Sequence, residues 1–234
     1  MRWLWSRYTW LGASLLIAMA IAFRQGWIPP RYSPLPAIIV EHPIPIIVDW
    51  QLRELATDGP LCRGLVSSKH VTARPVGDRV TGDGCGWSNA VRLSRVGGAR
   101  FPAAAVNCGV AGAMALWMHN VVQPAARQIF ESDVISMRQM GVYNCRNIIG
   151  SAFFGNRRSQ HATANAVDIG AFTLGNGKTI SVLRDWNRPG PRGRFLRRVH
   201  RGACRYFRVS LGPNFNRAHR DHFHFDRGSF WRCK

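Results

Sequence analysis

The sequence predicts an α+β domain: a small, mainly antiparallel sheet with helices packed on it, following an N-terminal transmembrane helix. Three observations predict this. Helical spacing dominates the first part of the domain, strand alternation dominates the second, and Asn176-Gly177 marks a two-residue hairpin turn between two strand-like runs. The chain has 234 residues, 46% of them hydrophobic, so most of it can bury a core.

The elements follow in chain order. Arg2 and Arg7 precede an apolar run, Tyr8 to Phe23, and Arg24 closes it. Positive then apolar is the order of a signal peptide or uncleaved signal anchor, so residues 1–25 are assigned to a membrane anchor and the rest is expected outside. Residues 26–48 hold Pro29, Pro30, Pro34, Pro36, Pro43 and Pro45 and read as a stiff spacer. Residues 49–234 have the size of one domain. Within it, Trp50–Thr57 reads as a short helix, and residues 59–102 as a Gly-rich stretch with short strands at 71–73 and 91–93. Residues 110–120 have helical spacing, and Pro124 fits the first turn of a second helix reaching Phe130. Strands are expected at 134–140 and 142–148, either side of Gly141, and at 166–174 and 179–183. Arg194–Phe207 reads as a basic amphipathic helix, followed by short strands at 208–211 and 222–226.

Composition narrows the function. Lys+Arg number 32 against 12 Asp+Glu, for a net charge of +20; three are lysines, so the other 29 are arginines. That balance excludes an acidic scaffold and points to a polyanionic neighbour, the bland alternative being an arginine-biased genome. From Met137 onward the only acids are Asp168, Asp185, Asp221 and Asp226. Histidine is therefore the leading candidate for proton transfer there. The six cysteines, Cys62, Cys85, Cys108, Cys145, Cys204 and Cys233, form no CxxC pair. An even, widely spaced set fits three disulfides in an oxidising compartment, with the pairing left open.

Two clusters carry chemistry. His161 and Asp168 stand seven apart, one in a turn and one on the following strand. His219, His222 and His224 fall within six residues. Strand alternation puts His222, His224 and Asp226 on one face, with Phe223 and Phe225 in the core. It also turns Asp221 away from that face. Imidazoles and a carboxylate suit Zn²⁺, and three protein ligands leave a coordination position open, as catalytic zinc requires.

These residues carry a resemblance. Cys62, Gly84-Cys85-Gly86, Cys108, Tyr143-x-Cys145-Arg146, Ser159-Gln160-His161 leading to Asp168, and Leu211-Gly212-Pro213 leading to His219, His222 and His224 resemble the bacterial extensin-like protein family over about residues 49–230. They are similar, too, to the zinc-peptidase superfamily of D-alanyl-D-alanine carboxypeptidases, penicillin-insensitive murein endopeptidase and the hedgehog domain. The resemblance implies that superfamily's fold. It implies Zn²⁺ on His161, Asp168 and His224, with His222 as general base and His219 as a second catalytic group. Arg146 would act on the substrate carbonyl or carboxylate, and Ser159 and Tyr143 would line the substrate site. Peptidoglycan is the implied partner, hydrolysis of its peptide crosslinks the activity, and the bacterial inner membrane and periplasm the location. A non-catalytic zinc-containing wall-binding module is the alternative; no nucleic acid is expected, and the sequence leaves the oligomeric state open. Where the peptidases usually carry a glycine three residues after the first histidine, this chain has Ala164.

Overall fold

The structure, a computed structural model, describes residues 2–25, 27, 36–149 and 154–234. The chain divides into two compact units, 1–36 and 37–234. The first contains helix α1 (Arg2–Gln25), whose apolar side chains from Tyr8 to Ile21 are exposed. Here the expected membrane span is corrected: among the described residues no helix is long and apolar enough to cross a membrane. The sixteen-residue run between arginines rises only about 24 Å, against a hydrocarbon core of about 30 Å.

The second unit takes in the end of the proline-rich segment. Residues 28–35 of the expected spacer lie outside the described residues, but Val40 and Val48 are buried, and Asn120 donates to the Val40 carbonyl. Helix α2 (Val48–Leu55) puts Val48, Leu52 and Leu55 into the core. Its Asp49 takes ion pairs from Arg208 at 2.6 Å and Arg227 at 2.8 Å, which ties the start of the unit to its end. Helix α3 (Gly59–Val66) was not expected in a Gly-rich stretch. Asp58 caps it by accepting from Leu61 N, and Pro60 fits its first turn.

Strands β1 (Val71–Val76), β2 (Arg79–Gly82), β3 (Cys85–Trp87), β4 (Ala90–Val96) and β5 (Ala99–Asn107) follow. Pro102 and three alanines obscured β5 in the sequence; the proline sits where the β4–β5 register shifts, so its missing N–H interrupts no regular ladder. Helix α4 (Cys108–Trp117), capped by Asn107, is buried on every side. A π-turn (Met118–Val122) leads into α5 (Gln123–Phe130), and the Gln123 amide bonds Gly97 O, Val134 O and Val134 N, sewing α5 to the sheet.

Strand β6 (Val134–Gly141) forms as expected, but residues 142–148 do not make a strand. They leave the sheet as a loop because their polar groups go elsewhere: Asn144 N donates to His161 O, and Cys145 is bonded to Cys85. Strand β7 (Ala166–Leu174) turns through Asn176-Gly177 into β8 (Thr179–Ser181), then α6 (Val182–Asp185) and α7 (Pro191–Ala203). Pro191 opens α7 three residues before the expected start. Strands β9 (Val209–Leu211), β10 (Phe223–Asp226) and β11 (Arg232–Cys233) end the chain.

The fold is α+β, but the expected small antiparallel sheet is corrected to a large mixed one. Among the described residues nine strands join in the order β1-β4-β5-β6-β7-β10-β9-β11, with β8 beside β7. The β5–β6 and β9–β11 pairs are parallel. The sheet grew because the Gly-rich first half supplies three of its strands. One face is covered by helices. There Trp117 of α4 meets Phe172, Phe207 and Phe225, while Phe195 of α7 meets Phe172.

All six cysteines pair: Cys62–Cys108, Cys85–Cys145 and Cys204–Cys233. The second closes 60 residues and clamps the loop after β6 to the β2–β3 hairpin. Replacing Cys85 and Cys145 by Ser is expected to cost about 2–4 kcal/mol, measured by urea unfolding; an unchanged midpoint would show that the clamp carries no stability.

Candidate metal centre

Strands β7 and β10 are antiparallel neighbours, and their register sets Asp168 opposite His224. Val167, Ile169, Phe223 and Phe225 point into the helix-covered core, so Asp168 and His224 necessarily point to the other face. His161 arrives from a 3-10 turn (Gln160–Thr163) just ahead of β7. Ser159 caps that turn by accepting from His161 N at 3.3 Å. Asn165 and Gln160 bond side chain to side chain behind it.

The three side chains converge, with one donor atom from each within 4.8 Å of the others. His161 Nε2 lies 3.2 Å from Asp168 Oδ2 and 3.1 Å from His224 Nδ1; His224 Nδ1 lies 3.0 Å from Asp168 Oδ1. The remaining ring nitrogens are engaged outside this triangle. His161 Nδ1–H donates to the Val142 carbonyl at 3.0 Å, and His224 Nε2–H donates to Asp226 Oδ2 at 2.9 Å. Each imidazole therefore turns a defined nitrogen inward and is held from behind, the arrangement that metal-ligating histidines require. Two imidazoles and one carboxylate, with their backs occupied, fit Zn²⁺.

Charge follows the same geometry. Burial works against ionising Asp168, but hydrogen bonds and positive field from His161 and His224 hold its carboxyl well below the usual range. Burial works against protonating His224 as well, yet Asp168 and Asp226 outweigh it and push this imidazole up to about 9. Without a metal, a proton holds these carboxylates together.

Two further histidines stand at the rim. His222 precedes β10, with Nε2 3.7 Å from Asp168 Oδ1 and Nδ1–H donating to Asp221 Oδ1 at 2.9 Å. The expectation that Asp221 faces away from His222 is thus corrected. Residues 220–222 form a turn rather than strand, so alternation does not reach them. His219 donates from Nδ1 to Asn216 Oδ1 at 2.6 Å, and its ring is 5.3 Å from His222 and 5.7 Å from His224. Burial first, then the positive field of His224 and His222, lowers His219 to about 4, so it is neutral at neutral pH.

The other candidates lie farther out. Tyr143 packs edge-on against Trp87, and its hydroxyl is 3.2 Å from Thr81 Oγ1. Arg146 bonds the Asn147 carbonyl, while its own carbonyl accepts from Ser159 N. Sequence reasoning missed Gly141, Val142, Asn216 and Arg138. Gly141 is opposite Asp168, and a Cβ there would come 3.1 Å from Asp168 Oδ2. The Arg138 guanidinium lies over Gly170, two residues along β7 from Asp168 on the same face. The sequence held one usable signal: Gly170 lets the Met140 thioether and the Arg138 guanidinium lie against the strand beside the acid.

Ala164 ends the 3-10 turn at φ 52°, in the left-handed region, and is fully buried. That backbone explains why glycine suits this position. Ala164→Gly is expected to stabilise the domain by about 0.5–1 kcal/mol; a lowered thermal midpoint would contradict the strain.

The chain belongs to the family described as Extensin-like protein C-terminus, whose model matches residues 60–234. That span includes every residue of the cluster. Comparisons with curated proteins and with solved structures each gave no match.

Proposed function

We propose that this chain is a zinc-dependent peptidase that cleaves the peptide crosslinks of peptidoglycan in the bacterial periplasm, in the zinc-peptidase superfamily named above. The observation that carries the reading is the convergence of His161, Asp168 and His224, with two oriented histidines at its rim. His161 Nε2, His224 Nδ1 and the Asp168 carboxylate would hold the ion. When bound, zinc supplies Lewis acidity toward a peptide carbonyl and toward water.

The remaining work falls to the chain's own side chains. His222, with Nδ1–H tied to Asp221, turns Nε2 toward the cluster. It is suited to take a proton from water and return it to the leaving amine. His219, neutral and fixed by Asn216, keeps a second polar nitrogen available at the rim. Arg146, Tyr143 and Ser159 belong to the segments flanking this face, and the net charge of +20 suits an anionic envelope polymer.

Digestion of purified crosslinked peptidoglycan, followed by chromatography of the products, tests the reading. Release of uncrosslinked peptides that depends on added zinc supports it. A zinc-loaded protein that sediments with the wall and releases nothing would favour a non-catalytic wall-binding module.

Zinc must displace the proton on His224. Its affinity should therefore fall as pH drops below about 9, by about tenfold per pH unit for one proton. The metal-free chain behaves oppositely. Its folded pKa lies above the ordinary 6.5, so this stabilisation is complete below 6.5 and is lost as pH rises through about 9. Chelator competition at several pH values checks the first sign, and urea unfolding in a chelator checks the second. A pH-independent zinc affinity would remove His224 from the ligand set.

A further inference from the structure

Eight of the 29 arginines fall between residues 184 and 205, with Asp185 as the only acid among them. Helix α7 sorts them. Phe195, Leu196, Val199, His200 and Ala203 are buried against the sheet, while Arg192, Arg194, Arg197, Arg198 and Arg201 are exposed, with Arg205 just beyond the end. Asp185 is buried and taken by Arg188 and Arg192. Arg197 donates to the Trp186 carbonyl and Arg198 to the Gln128 amide. Among the described residues no carboxylate pairs with Arg194, Arg198, Arg201 or Arg205.

Such a face has a cost. Like charges one helical turn apart repel, and nothing in the helix offsets them. An external anion does. The exposed residues of the helix include no aromatic side chain, so it lacks the stacking platforms by which proteins track single-stranded nucleic acid. Guanidinium forks on a helix face suit phosphates spread over a plane. The three disulfides belong to an oxidising compartment, where the phosphate-rich plane is a lipid surface rather than a nucleic acid.

We propose that the outer face of α7 docks on a bilayer surface bearing anionic phospholipid headgroups. The sheet lies between α7 and the His161–Asp168–His224 cluster, because α7 packs on the Phe172 and Phe225 side and the cluster opens on the other. Docking through α7 directs the cluster away from the lipid, toward whatever lies above it. The docking stands apart from the peptidase reading and is tested without any hydrolysis assay.

The test is co-sedimentation of the full chain with vesicles of phosphatidylcholine containing one third phosphatidylglycerol, and with phosphatidylcholine alone. A preference for the anionic vesicles that falls with added salt is expected. One basic side chain near an anionic surface strengthens binding by roughly fivefold. Combined Arg194→Gln, Arg198→Gln, Arg201→Gln and Arg205→Gln is therefore expected to reduce the preference by roughly a hundredfold or more, with unchanged circular dichroism and metal content. Combined Arg63→Gln, Arg74→Gln, Arg95→Gln and Arg100→Gln removes the same charge from other exposed sites and should keep most of the preference. Equal losses in both sets would reduce the effect to net charge and overturn the proposal. It would also be overturned if the α7 variant kept its vesicle preference, or lost duplex DNA binding while vesicle binding stayed intact.

Discussion

His224→Ala protein is expected to hold no zinc and to leave crosslinked peptidoglycan intact, whereas the unaltered chain should carry about one Zn²⁺. The size of the effect follows from the triangle. His224 Nδ1 is one of three inward donors, within 3.1 Å of both others. Two donors remain after its removal, too few for a catalytic zinc site. The substitution also leaves Asp168 and Asp226 without the imidazole that joins them. The metal-free variant should accordingly unfold at lower urea concentration below neutral pH. His161→Ala and Asp168→Ala should lose the metal as well. Elemental analysis of the purified variants decides the matter, and full zinc content in any of the three would break the ligand assignment.

The second large effect separates base from ligand. His222→Ala should retain zinc and yet lose hydrolysis by roughly 10²–10⁴-fold, the usual size of a general-base contribution. Asp221 shares in this effect, because its carboxylate accepts from His222 Nδ1 at 2.9 Å. Asp221→Asn, an orienting partner weakened rather than a base removed, should cost about tenfold to a hundredfold, again with zinc retained. A zinc-loaded, inactive Asp221→Asn beside an active His222→Ala would reverse the roles, making the aspartate the base.

The cluster was legible in the sequence for a physical reason. His224 and Asp168 lie on strands whose alternate residues, Phe223, Phe225, Val167 and Ile169, are apolar, and that period fixes the face of each polar neighbour. Asp221 was misread because the period was extended one turn too far, into residues that owe their geometry to the 3-10 turn Arg217–His219. Strand β5 was hidden by alanines and Pro102, which mark a strand only when a partner is already present. The loop 142–148 misled differently. Val142 and Ile148 look like strand residues, but the path of this segment is set by a disulfide and by bonds to His161, contacts far away along the chain.

The bond between Cys85 and Cys145 reaches further than stability. Cys145 lies three residues after Val142, the residue whose carbonyl aims His161. A chain whose thiols are reduced lacks that clamp on the segment carrying the Val142 carbonyl, and His161 is then oriented by its partners on β7 and β10 with a less firmly held bond behind it. Oxidation of this pair is therefore expected to precede metal loading, and zinc uptake by the oxidised and the reduced chain would check that order. On the proposed peptidase reading, that order would act as a timing device, holding hydrolysis back until the thiols are oxidised.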